Sequence, residues 1–117
     1  MSPFSYPKRR LRKMVRDGEY AEAVRYGESV RGSYEDDADY MFIMGGICYA
    51  VGDHARALPY FERAVELSPR DIEVLKLKTN SHLGMKDREG AADCCRRILE
   101  IDPGDDEAAA ILGGLGT

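Results

Sequence analysis

The chain repeats itself at a spacing of 34 residues. The stretch "YFERAVELSPRD" at 60 to 71 is answered 34 residues later by "CCRRILEIDPGD". Pro69 falls on Pro103, Glu66 on Glu100 and Leu67 on Ile101, while the aromatic pair Tyr60-Phe61 becomes Cys94-Cys95. Farther back, Ala23, Ala57 and Ala91 are in register, as are Val30, Ala64 and Ile98, and Val24, Leu58 and Ala92. Gly18 matches Gly52, with Lys86 as the third equivalent. A fixed period of this length confines the fold. Each repeat is one small supersecondary unit that cannot bury its apolar face alone, so neighbouring units must stack. The units are 4–37, 38–71 and 72–105, with 106–117 left over.

Each unit reads as two helices. In the second, Met41, Met44, Gly45, Cys48 and Tyr49 fall at helical spacing. Gly52-Asp53 ends that helix, and Asp53 is a good N-cap for the next. Ala57, Leu58, Phe61, Ala64, Val65 and Leu67 then share one face until Pro69 stops the run. Pro59 lies past the first turn, where a kink rather than a break is expected. In the third unit Asp71 and Asp87 cap the two helices and Pro103 ends the second. The tail "DDEAAAILGGLGT" opens like another first helix, capped by Asp105 or Asp106, and is too short for a whole unit. The expected fold is all-α: three antiparallel helix pairs plus a short C-terminal helix. Alanine recurs because paired helices approach closely where facing side chains are small.

Composition narrows the class. With 44% hydrophobic and 32% charged residues the chain can form a core. No stretch approaches the ~20 apolar residues of a spanning helix. The start "MSPFSYPKRRLRKMV" lacks the apolar run of a secretory signal. Three cysteines, two of them adjacent, make no disulfide framework. A reducing, cytoplasmic location is expected, with no membrane partner. A net charge of −4 argues against a nucleic-acid partner. The charge is uneven, however: Lys8, Arg9, Arg10, Arg12, Lys13 and Arg16 crowd the first helix, and acids crowd "YEDDAD" (34–39) and "DPGDDE" (102–107).

The period, the small residue at the eighth position (Gly45, Thr79), the Gly-Asp turn, the alanine, the aromatic and the terminal proline resemble the tetratricopeptide repeat. The middle unit matches best, through Gly45, Gly52, Ala57, Phe61, Ala64 and Pro69. The third departs at Cys95 and Ile98, and the first has Gly27 at the aromatic position and Glu35 where proline is usual. The resemblance implies that the three antiparallel helix pairs and the short C-terminal helix wind into an all-α right-handed superhelix (solenoid), a non-catalytic protein-interaction module whose first helices line a concave groove for a peptide or helix of a partner protein. The residues it places in that groove are Lys8, Arg12, Arg16, Phe42, Ile43, Tyr49, Lys76, Asn80 and Leu83. One subfamily grips a chaperone's C-terminal carboxylate with convergent cationic and amide side chains. Here only Lys8 matches; the other positions hold Arg12, Ile43, Glu73 and Leu77, which argues against that clamp. A basic rim beside an apolar floor suggests instead an acidic segment with one or two apolar anchors, while Lys8, Arg9, Arg12 and Lys13 equally read as the solvated face of an N-terminal helix. The alternative is a self-associating scaffold that uses the ends of the stack, forming a homo-oligomer through its C-terminal edge.

Little else suggests chemistry. Cys48 and His82 occupy equivalent positions, and Cys94 and Cys95 lie on the helix paired with that of His82. Adjacent cysteines on a helix point about 100° apart and share a metal poorly; there is no CxxC and no histidine pair. A Cys-His nucleophile would also need an oxyanion pocket. "GGLGT" lacks the Lys-Ser/Thr of a phosphate loop. No enzyme activity, metal or cofactor is expected. Cys94-Cys95 reads as a thinner form of the Tyr60-Phe61 contact, one that leaves the third unit less well filled.

Overall fold

A computed structural model describes residues 6–116. Among these residues every regular element is helical: α1 (Tyr6–Arg16), α2 (Tyr20–Ser29), α3 (Ala38–Ala50), α4 (His54–Leu67), α5 (Ile72–Gly84), α6 (Arg88–Ile101) and α7 (Asp106–Gly114), with a 3-10 turn at Arg31–Ser33. The helices pair as α1/α2, α3/α4 and α5/α6, and α7 packs on α6. Successive hairpins stack into an α-α superhelix measuring 47 × 24 × 22 Å.

The period appears first in the helix starts. The opening N–H groups of a helix lack internal partners, and a side-chain oxygen one residue ahead can accept from them. Asp37, Asp71 and Asp105 do this for α3, α5 and α7, accepting from Tyr40 (2.9 Å), Val74 (3.3 Å) and Ala108 (2.9 Å). Asp53 and Asp87 do it for α4 and α6, accepting from Arg56 (3.1 Å) and Gly90 (2.9 Å). In the first unit Glu19 stands before α2 and makes no such bond. The turns also repeat. Gly18 and Gly52 have φ of 75° and 81°, and Lys86 takes the same place at 60° without glycine's freedom, at a cost of about 1 kcal/mol. Helix α4 runs unbroken through Pro59.

Two faces of α3 are buried, against different neighbours. One faces its own hairpin partner. The Phe61 ring of α4 lies where a Cβ on Gly45 of α3 would be, 2.5 Å from that point. The other face meets the preceding hairpin: Tyr40 donates through its hydroxyl to the Gly27 carbonyl (2.7 Å), and the Met44 side chain fills the space above Gly27. The aromatic missing from the first unit is thus replaced by a methionine from the second. The third unit solves the hairpin contact differently. Thr79 stands where Gly45 does and Cys95 where Phe61 does, and both are buried. Thr79 donates to the Leu75 carbonyl (2.8 Å). The gap among Thr79, Cys95, Ile98 and Ala108 leaves no room for a water. Thr79 on α5 thus restores part of the volume given up where Cys95 replaces an aromatic on α6.

Polar contacts tie the hairpins together in the same register. Lys8 pairs with the Asp37 cap at 2.8 Å, and Lys76, two repeats on, pairs with the Asp105 cap at 3.0 Å. In the opposite direction Arg63 donates to the Glu35 carbonyl (3.1 Å) and Arg97 to the Pro69 carbonyl (3.3 Å). The apolar core divides into a large cluster from Leu11 to Val74 and a smaller one around Leu75, Cys95, Ile98 and Ala108, with Val65 packed against both.

The exchange between the second and third units gives a quantitative expectation. Gly45→Thr alone drives a side chain into the Phe61 ring, and Phe61→Cys alone opens a void; each should cost roughly 2–4 kcal/mol. The double substitution should cost less than the sum by about 1–3 kcal/mol. Denaturant titration of the four proteins checks this, and strict additivity would show that the two sites do not share one space.

Candidate functional site

A groove with a mainly apolar lining lies between α1 and α3. It is an open cleft of about 450 Å³ lined by Arg12, Val15 and Arg16 of α1, Tyr20 at the start of α2, and Phe42, Ile43, Gly46, Ile47 and Ala50 of α3. Phe42 and Ile43 are half-buried, so each keeps an apolar edge in the cleft. Nothing stands within 4 Å of where a Cβ of Gly46 would be, so the floor there is bare backbone.

Of the residues expected in the groove, the structure brings Arg12, Arg16, Phe42 and Ile43 together in this cleft. The others lie apart from it. Lys8 is half-buried in its pair with Asp37 and also approaches Asp39 (3.5 Å). The Asp37 hydrogen bond raises the lysine's pKa above its ordinary value. Burial pushes the Asp37 carboxyl up, but the bonds from Lys8 and the Tyr40 N–H outweigh it and leave the carboxyl below its ordinary value. Tyr49 turns toward its own hairpin, its ring edge-on to His54 (5.5 Å) and Phe61 (6.5 Å). Lys76 is held by Asp105 and lies 3.8 Å from Glu107, and Asp105 raises its pKa. Asn80 and Leu83 lie on α5, outside the α1–α3 cleft. Tyr20 is a lining residue that sequence reasoning did not single out. The available signal was its register with His54, the position where the repeat often carries a tyrosine.

The rim is less basic than the composition of α1 suggests. Arg12, which lines the cleft, pairs with Asp39 at the start of α3. Lys13 pairs with Asp17 (2.7 Å) on its own side of the hairpin. The Arg10 guanidinium lies 4.3 Å from the centre of the Tyr26 ring. Arg16 makes no ion pair among the described residues.

The cysteines and histidines are placed as packing groups. Cys48, Cys94 and Cys95 are free and buried, and burial pushes all three thiols above their ordinary pKa. His82 Nδ1 meets the Asp87 carboxylate at 3.0 Å, and His54 meets Ser81 at 3.3 Å. Among the described residues no three His, Cys, Asp or Glu side chains are grouped to hold a metal, and no helix is long and apolar enough to cross a membrane.

A model of the tetratricopeptide repeat family matches residues 49–115, more than half of the chain. No curated protein matches the sequence. Solved structures do. The first tetratricopeptide domain of Spaghetti (RPAP3), bound to the HSP90 peptide SRMEEVD, superposes with a TM-score of 0.81 at 18% identity, over 97% of this chain and 90% of that one. MamA from Desulfovibrio magneticus RS-1 gives 0.83 at 22% identity, over 98% of this chain and 66% of that one. PcrH from Pseudomonas aeruginosa gives 0.81 at 14% identity, over 100% and 96%. At such identities the likeness establishes the fold and nothing finer.

The buried thiols have a direct readout. The thiolate is the reactive form, and burial disfavours it. In the folded protein Cys48 and Cys95 should react with a disulfide reagent at least tenfold more slowly than in denaturant, measured by absorbance of the released thiolate. A fast, low-pKa Cys95 would show that the Cys94-Cys95 pair is not a packing contact.

Proposed function

The chain belongs to the tetratricopeptide repeat family, and from that premise we propose that it is a non-catalytic interaction module whose α1–α3 cleft binds an extended peptide or a helix of a partner protein. The observation that carries this reading is the cleft itself. Val15, Tyr20, Phe42, Ile43 and Ile47 form an apolar floor that stays open beside Arg16, which makes no ion pair among the described residues. Apolar side chains in a desolvated cleft supply most of the affinity of such sites, and a charged rim sets encounter and orientation. A related fold holds the acidic peptide SRMEEVD. That supports a ligand with one or two apolar anchors and an acidic group. Lys8, Tyr49, Lys76, Asn80 and Leu83 would contribute only where a longer segment continues along the stack. Three free, buried thiols suit a reducing, cytoplasmic setting.

A second reading rests on α7. Its Ala108 and Leu112 pack inward, whereas Ala109, Gly113 and Gly116 are exposed. The equivalents in complete units, Met41, Gly45 and Cys48, are covered by a partner helix. The open face would serve contact between two copies of this chain.

Two measurements separate the readings. Gly46→Leu puts a side chain into the cleft from a point where a Cβ has nothing within 4 Å, and Phe42→Ala removes the anchor surface; both should cut capture of a partner from source lysate at least tenfold while the helical circular dichroism persists. Capture unchanged by both substitutions would reject the cleft. For α7, light scattering should show a mass that rises with concentration and is reset by Gly113→Glu; a concentration-independent monomer would reject self-association.

A further inference from the structure

Resting on the cleft reading above, we propose that Asp39 occupies the anion position at Arg12 from within the chain and so determines which ligands the cleft accepts. The accepted class is a segment held by apolar contacts with one acidic group, directed to Arg16. The disfavoured class is acid-rich or presents several carboxylates along the rim.

Three observations support this. Arg12 lines the cleft, and its guanidinium is already paired with the Asp39 carboxylate. Asp39 itself sits in the first turn of α3, where the exposed N–H groups and the helix dipole favour a negative charge. Lys8, 3.5 Å away, adds a second cation that holds the carboxylate at the rim. The arrangement also recurs. Two repeats on, Glu107 occupies the same position of α7 and stands 3.8 Å from Lys76, the repeat equivalent of Lys8. An acid at this position therefore meets the cations of an earlier first helix wherever they occur. Arg16 lies one turn farther along α1, beyond this acid's reach, and remains the cation on the cleft with no ion pair among the described residues.

An incoming carboxylate at Arg12 must displace Asp39 or share the guanidinium with it. Either costs binding free energy, so the penalty falls on acidic ligands and spares neutral ones. Discrimination by a like charge placed against the wrong partner is a common source of specificity.

The test uses the full chain and the peptide SRMEEVD as probe, with binding followed by fluorescence anisotropy at low salt. Asp39→Asn should tighten binding roughly three- to fivefold, the range expected for a half-exposed ion pair. Adding Arg12→Gln to Asp39→Asn should abolish the gain. Asp93→Asn, which removes the same charge from α6, should leave affinity unchanged, and the C-terminally amidated probe SRMQQVN, which has no carboxylate, should show no gain with Asp39→Asn. The proposal is overturned if the gain is absent, if no variant binds the probe, if Asp93→Asn gives an equal gain, or if the gain survives loss of Arg12. The outcome for the cleft is read separately. If Asp39→Asn gives its gain but Gly46→Leu does not reduce it, the Arg12–Asp39 assignment stands and the cleft reading fails.

Discussion

The close approach of paired helices governs the rest of this molecule. A hairpin of two helices has apolar residues on more than one face, and its partner helix can cover only one of them. At Gly45 the chain brings an aromatic ring directly onto helix backbone. That contact sets the spacing of the α3/α4 pair and leaves the opposite face of α3 for the preceding hairpin. Tyr40 and Met44 complete that second contact by reaching to Gly27. Stacking then follows, because burying large apolar residues such as Met41, Met44 and Phe61 requires neighbours on both sides.

The same stacking draws on the charges of α1. Lys8 and Arg12 join the first hairpin to the start of α3 through Asp37 and Asp39. A cation used to hold one hairpin to the next is no longer free for a ligand. The cleft between α1 and α3 is thus mainly apolar, although the helix that forms one wall carries six basic residues and no acid. Cohesion of the stack and electrostatic recognition by the cleft compete for the same side chains.

Much of this was legible in the sequence because it is local or periodic. Asp53, Asp71 and Asp87 stand immediately before apolar runs, and their capping role depends only on the residues that follow. The 34-residue register placed Ala57, Phe61 and Ala64 on a packing face without any knowledge of the superhelix. What was not legible depends on curvature. The pairs Lys8–Asp37, Arg12–Asp39 and Lys76–Asp105 join residues 27 to 29 positions apart across two hairpins. No short-range pattern indicates that those side chains meet. Tyr49 falls at a groove position by register, yet its ring rests on His54 and Phe61, because an aromatic of that size finds more contact within its own hairpin. The packing of the third unit is hidden from the sequence for a related reason. Thr79, on the opposite helix, restores part of the volume that Cys95 gives up, and only the packed hairpin brings the two together.

The two hairpin solutions, glycine facing phenylalanine and threonine facing cysteine, bear on how such repeats diverge after duplication. A path between them must change two residues. Enlarging the glycine first forces a side chain against the ring, and shrinking the ring first leaves a void. Either order passes through an intermediate of lower stability. The reserve of stability that permits it would come from neighbouring hairpins already stacked on either side. An interior repeat can make that passage more readily than a terminal one, and in this chain the exchanged pair is flanked by α4 before it and α7 after it.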